Sequence, residues 1–168
     1  MLHDVFHFSF TVSDIEASVR WYQEVLGLEL VHRQRQENEY TRTLVGMPEA
    51  VLEVAQLRVP GVLPANSTHV LELVEYRHGA GDRIVLQTNN VGVAHLAFVV
   101  TAIHQEYERL RSLGVTFRNP PVEITAGANR GGYACYLHDP DGITLELLQP
   151  PSDRLREYGL AAAVENLD

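Results

Sequence analysis

The sequence predicts an α+β fold made of two tandem modules, each a strand, a helix and three further strands. Three observations predict it. Val5-Phe6-His7-Phe8-Ser9-Phe10-Thr11-Val12 recurs as Val93-Ala94-His95-Leu96-Ala97-Phe98-Val99-Val100. Each copy runs into a helix-like stretch that closes on Leu-Gly, at Leu26-Gly27 and at Leu113-Gly114. Each half ends on a Leu-Glu-Leu strand, Leu71-Glu72-Leu73 and Leu145-Glu146-Leu147. A repeat of this kind decides the architecture before any single element does.

The elements follow in order. Phe6 to Val12 alternates as a strand, with Phe8, Phe10 and Val12 on one face and His7, Ser9 and Thr11 on the other. Ser13-Asp14-Ile15-Glu16 has the form of a capping box. Ile15, Val19, Tyr22 and Leu26 recur at helical spacing, so a helix is expected from Asp14 to Val25, ended by Gly27. Leu28 to Gln36 reads as a strand. Tyr40 to Ala50 has no clear pattern and a turn at Gly46-Met47-Pro48. Val51 to Val59 and His69 to Tyr76 are strands, joined by a Pro- and Gly-containing loop from Pro60 to Thr68.

The second half repeats the order. Val93 to Val100 is a strand. Thr101 opens a helix bearing Ile103, Tyr107, Leu110 and Leu113, which Gly114 closes. A strand is expected near Val115 to Arg118, loops at Asn119-Pro120-Pro121 and Gly127 to Gly132, and strands at Gly132 to His138 and Ile143 to Gln149. Asp139-Pro140-Asp141-Gly142 is a tight turn between the last two. The organisation read from this is a first module over 1–76, a linker over 77–90, a second module over 91–150 and a tail over 151–168. Ser152-Asp153 is placed to cap a short helix in that tail, with disorder expected at its end.

The chain has 168 residues, 45% hydrophobic and 21% charged, as in an ordinary soluble domain. No apolar run approaches the roughly 18 residues of a membrane helix. The first residues, with His3 and Asp4, lack the form of a signal peptide. A cytoplasmic location is the default expectation. The single cysteine, Cys135, excludes an intrachain disulfide and a multi-cysteine zinc site. A net charge of −9 repels nucleic acid and anionic lipid, so neither is an expected partner.

The chemistry lies on the face away from the helices. One helix covers one face of a four-stranded sheet. The uncovered face carries His7, Ser9, Thr11, His95, Ala97 and Val99, which are too small or polar for a core. Glu72 and Glu146 turn to that same face, opposite their flanking leucines. A carboxylate in mid-strand is costly to bury unless paired or metal-bound. His7, Glu72, His95 and Glu146 therefore occur at matching positions of a duplicated unit. Two imidazoles and two carboxylates suit one divalent ion, zinc, nickel, cobalt, manganese or iron(II). With two positions left for water, such a metal holds a small-molecule substrate through two adjacent oxygens and acts as a Lewis acid.

Other residues have plainer readings. By strand parity His69 faces away from Glu72. Cys135 is a small strand residue, and Trp21, Tyr22 and Tyr107 are helix-packing aromatics. Gly127 to Gly132 lacks the following helix of a phosphate loop. Its Asn129 and Arg130 are the candidates for contact with an anionic substrate group.

At this point the residues resemble the vicinal oxygen chelate superfamily, which includes glyoxalase I, methylmalonyl-CoA epimerase, extradiol dioxygenases and bleomycin-resistance proteins. The resemblance covers Met1 to Pro150. It is carried by His7 with Asp14 to Gly27, by His95-Leu96-Ala97-Phe98-Val99-Val100, and by Asp139 to Leu147. It implies paired βαβββ modules whose mixed sheets form an open cup around a metal site with ligands His7, Glu72, His95 and Glu146. That set is similar to glyoxalase I. Methylmalonyl-CoA epimerases usually carry glutamine at the position of Glu72, and extradiol dioxygenases use only two histidines and one glutamate.

The function that the resemblance implies is a glyoxalase I-like lyase or isomerase, or an epimerase. It would abstract a proton next to a metal-bound carbonyl through an enediolate. Glu146 is the expected base and Glu72 the second choice. The alternatives are an extradiol-type ring-cleaving dioxygenase and a non-catalytic resistance-type binding protein. A homodimer is expected, with the site built within one chain or from two.

Overall fold

Strand, helix and turn signals are laid down in the same order twice, and the structure follows them. The computed structural model describes residues 1–61 and 69–160. Its chain divides into two compact units, Met1–Ile84 and Val85–Asp168. Unit 1 contains β1 (His7–Thr11), α1 (Ile15–Glu24), β2 (Glu29–Gln36), α2 (Glu39–Val45), β3 (Val51–Arg58) and β4 (Val70–His78). Unit 2 contains β5 (Leu96–Val99), α3 (Ile103–Ser112), β6 (Val122–Glu123), β7 (Tyr133–His138), β8 (Thr144–Gln149) and α4 (Ser152–Glu157). Most of the loop expected from Pro60 to Thr68, and the end of the tail, lie outside the described residues.

Each unit holds one four-stranded mixed sheet, in the order β1-β4-β3-β2 and β5-β8-β7-β6. In both, the first strand runs parallel to the last, and the other pairs are antiparallel. The parallel pairing needs a crossover, and the helix with the strands that follow it supplies one. Its consequence is register: Ser9 stands opposite Glu72, and Ala97 opposite Glu146. The histidine-bearing strand is thereby the direct neighbour of the glutamate-bearing strand in each unit.

The face under each helix is the core. Ile15, Val19 and Tyr22 of α1 are buried, as are Leu57 of β3 and Leu71 and Leu73 of β4. In unit 2 Ile103 and Leu110 of α3 are buried, with Leu137, Leu145 and Leu147 beneath them. Burying side chains of this size contributes about 1.5–3 kcal/mol each. Phe8, expected on this face, is half exposed and meets the His69 ring at 5.9 Å. Tyr107 packs edge-on against Phe117 at 4.6 Å, as helix-packing aromatics do.

Both helices begin on the same device. The Ile15 N–H donates to Glu75 Oε2 of β4 at 2.9 Å, and the Ile103 N–H donates to Gln149 Oε1 of β8 at 2.8 Å. Glu75 and Gln149 each stand three residues after the glutamate of their Leu-Glu-Leu strand. A helix leaves its first N–H groups without partners in the helix, and here the last strand supplies one. The expected capping box is corrected accordingly. Asp14, rather than Ser13, is the N-cap, and its carboxylate accepts from the Ala17 N–H at 3.0 Å. Glu16 is drawn away to an ion pair with Arg33 of β2.

Three further differences have local causes. The unpatterned stretch after Tyr40 is helix α2, capped by Asn38, whose Oδ1 accepts from the Thr41 N–H at 2.9 Å. It ends on Gly46 at φ +68°, a left-handed conformation that glycine takes without strain. Val45 of α2 packs on a cluster of Ala50, Leu52, Val54 and Val74. By register Val54 and Val74 share the face of Gln56 and Glu72, so that face ends in an apolar cluster rather than being polar throughout. The strand expected over Val115 to Arg118 is reduced to a single bridge, Phe117 to Leu137, and Pro120 and Pro121, which have no N–H to donate, delay β6 until Val122.

Strand β4 runs to His78, two residues into the stretch expected as linker. In the tail, α4 begins after Pro151 with no side-chain cap from Ser152 or Asp153, and Leu155 anchors it in the core. Gly132 opens β7 where an added Cβ would collide with the Gln149 carbonyl oxygen. Among the described residues no helix is long and apolar enough to cross a membrane.

The strand-to-helix bond has a measurable weight. Gln149→Leu leaves the Ile103 N–H without its acceptor and is expected to lower stability by about 1–3 kcal/mol in urea denaturation. An unchanged midpoint would show that solvent replaces the amide at no cost.

Candidate functional site

In unit 1 the open face of the sheet brings His7 and Glu72 together. His7 begins β1 and Glu72 lies two residues into the pairing of β4 with β1, so both side chains leave the sheet on the side away from α1. His7 Nε2 lies 3.7 Å from Glu72 Oε1, with the imidazole 37% and the carboxylate 17% exposed. The other oxygen of Glu72 is engaged across the sheet. Gln56, its partner in β3, donates from Nε2 to Glu72 Oε2 at 2.9 Å. The Phe6 ring closes edge-on over His7 at 5.6 Å.

Unit 2 repeats the pair with different company. His95 Nε2 lies 3.1 Å from Glu146 Oε2, with side-chain exposures of 42% and 16%. The cross-strand partner of Glu146 is Tyr136, whose ring lies 5.2 Å from that of His95. Burial and the Glu146 carboxylate push the Tyr136 phenol above its ordinary range, and the Arg118 guanidinium opposes them. Tyr136 thus occupies the register position that Gln56 occupies in unit 1.

Each pair presents one imidazole nitrogen and one carboxylate oxygen on a face that is neither core nor fully solvated. Two donors bound to one cation at about 2.0–2.2 Å stand roughly 3.0–3.4 Å apart. The His95–Glu146 spacing lies within that range, and the His7–Glu72 spacing just beyond it. The donor set therefore fits a divalent ion. Taken alone, each unit supplies two donors, and among the described residues no three His, Cys, Asp or Glu side chains gather into a group that could hold a metal.

The remaining sequence candidates are placed as follows. Asn129 accepts from Arg154 of α4 at 2.8 Å, which ties the Gly127 to Gly132 loop to the tail helix. Arg130 is exposed on the same loop. His69 turns away from Glu72 and lies 3.5 Å from Asp4. Cys135 is buried on the helix side of β7, where desolvation and then Glu146 push its thiol up to about 11. Two residues escaped the sequence reading, Gln56 and Tyr136. The signal for both is cross-strand register opposite the two glutamates, which a sequence shows only once the pairing is known.

Comparison with known proteins adds the following. The family model described as Glyoxalase/Bleomycin resistance protein/Dioxygenase superfamily matches residues 4–147. A 2-epi-5-epi-valiolone epimerase from an Actinomyces species is 32% identical over 152 residues, covering 88% of this chain and 80% of that protein. A lactoylglutathione lyase from Arabidopsis thaliana is 25% identical over 85% of this chain, which spans 43% of the plant protein's length. The crystal structure of a glyoxalase family protein from Bacillus cereus shares the fold, with a TM-score of 0.74 at 19% identity, over 89% of this chain and 95% of that one.

The state of Cys135 can be checked directly. A thiol at about 11 is almost wholly protonated at pH 8. Iodoacetamide is expected to alkylate the native protein roughly two orders of magnitude more slowly than the urea-unfolded chain, followed by mass spectrometry. Equal rates would place Cys135 outside the core.

Proposed function

We propose that this chain, which belongs to the glyoxalase/bleomycin resistance protein/dioxygenase superfamily, is a divalent-metal-dependent lyase, isomerase or epimerase. Its substrate is a small molecule with two neighbouring oxygens, and its chemistry is the movement of a carbon-bound proton beside a carbonyl. One observation carries the reading. A His–Glu pair recurs at the same register of two duplicated sheets, 3.7 Å apart in one and 3.1 Å in the other. The names of the relatives, a lyase and an epimerase, support the reaction class.

In this reading His7, Glu72, His95 and Glu146 hold the cation, contributed by one chain or by two copies in a homodimer. When bound, the cation supplies Lewis acidity to the substrate oxygens. The protein's own groups do the rest. His7 and His95 act as imidazole donors from the edge of each sheet. Glu146 Oε2 faces His95, and among the described residues no hydrogen bond is made to its Oε1. That oxygen takes the proton from the carbon beside the carbonyl and returns it to the neighbouring carbon; in an epimerisation Glu72 would instead donate its own proton to the opposite face, leaving the abstracted one on Glu146. The rings of Phe6 and Tyr136 flank the two imidazoles.

Glu146→Gln keeps the size and one oxygen of the side chain but cannot accept a proton at physiological pH. It is expected to lower turnover by about 10²–10⁴-fold on 2-hydroxy ketones, hemithioacetals or cyclic ketols, while metal analysis still finds bound cation. Turnover equal to that of the parent chain would remove Glu146 from the proton path. Failure of the parent chain to bind any of the five candidate metals would overturn the whole reading.

A further inference from the structure

The two glutamates of the repeat are held differently. Glu72 is restrained at one oxygen by a hydrogen bond: Oε2 accepts from Gln56 Nε2 at 2.9 Å, while Oε1 stands 3.7 Å from His7 Nε2, beyond hydrogen-bond reach. A carboxylate can only accept, so the amide must present its nitrogen here. The bond joins direct cross-strand neighbours, Gln56 of β3 and Glu72 of β4, and it is part-buried, where a hydrogen bond to a charged group counts for more than in water. Among the described residues Glu146 has no such amide partner; its Oε2 lies 3.1 Å from His95 Nε2. The same register position in unit 2 is Tyr136, which turns its ring to His95 rather than its hydroxyl to the carboxylate.

We propose that Gln56 is a positioning residue that orients the Glu72 carboxylate as a metal ligand. The inference rests on the metal-dependent reading above. Its physical content is orientation. A glutamate has three rotatable bonds, and a ligand loses that freedom on binding. Gln56 holds the Glu72 carboxylate plane in advance, with one oxygen already turned toward His7. Hydrogen-bond partners that orient a metal ligand in this way typically carry about 10–100-fold in metal affinity.

The test reads metal binding and needs no substrate. Cobalt(II) is titrated into the metal-free chain and followed by its visible absorption, for the parent, Gln56→Met, Glu72→Ala and the double variant. Gln56→Met keeps the length of the side chain and removes the donor. It is expected to weaken cobalt binding by about 10–100-fold while the metal-free chain still unfolds in one cooperative transition. Three donors remain in Glu72→Ala, enough for a measurable site, and in that background the second change is expected to cost about twofold at most. Unchanged affinity for Gln56→Met, or the same loss in both backgrounds, would show that Gln56 does not act through Glu72 and would leave the wider reading intact. Failure of the parent chain to bind cobalt would overturn both. Should Gln56→Met not fold, Gln56→Asn withdraws the amide by one methylene and is read by the same criteria.

Discussion

In both units the first helix and the last strand are joined by one bond, from the opening N–H of the helix to a side-chain oxygen two strands' depth away in sequence: Ile15 to Glu75, and Ile103 to Gln149. Much else depends on it. The bond sets where the chain turns after the histidine strand, and so how the helix lies across its sheet. It also holds the strand that carries the glutamate beside the strand that carries the histidine. The acceptor is three residues beyond that glutamate and lies on the opposite face of the same strand. One strand therefore anchors the helix with one face and presents the candidate ligand with the other. Few arrangements tie scaffold to site so directly.

Duplication also explains why the two sites are alike in plan and unlike in detail. The histidine, the glutamate and the helix clamp recur at equivalent places. The residue beside each glutamate does not: an amide in unit 1, a phenol in unit 2. A repeated scaffold lets each copy take its own neighbours without disturbing the shared frame. Two chemically equal carboxylates acquire different surroundings in this way, one bonded to a cross-strand amide and the other set beside an aromatic ring.

What could be read from the sequence follows from the range over which each signal acts. The Leu-Glu-Leu strands, the alternation around His7 and the Leu-Gly helix ends are local patterns, and the pairs His7–Glu72 and His95–Glu146 emerged from comparing the two copies. The first-half helix α2 was missed because seven residues carry barely two turns of periodicity, although Asn38 and Gly46 stood at its ends. Gln56 and Tyr136 were missed for a different reason. Their importance lies in facing a glutamate across a ladder, and register depends on the turns and bulges between strands. The shift between Leu30 and His32 is one such irregularity. Glu75 was likewise invisible as a helix cap, since capping is ordinarily sought within three residues of the helix start rather than sixty along the chain.

The bare Cα at Gly132 places an unusual demand on one point of the chain. A methyl group there would push against the carbonyl of Gln149, the very residue whose amide holds the start of α3. Crowding at a loop would thus be felt at a helix terminus on the other side of the sheet, relayed by a single rigid strand end. Of all the loop positions in unit 2, this one is expected to tolerate no alternative amino acid, and diversification of the loop must proceed around it.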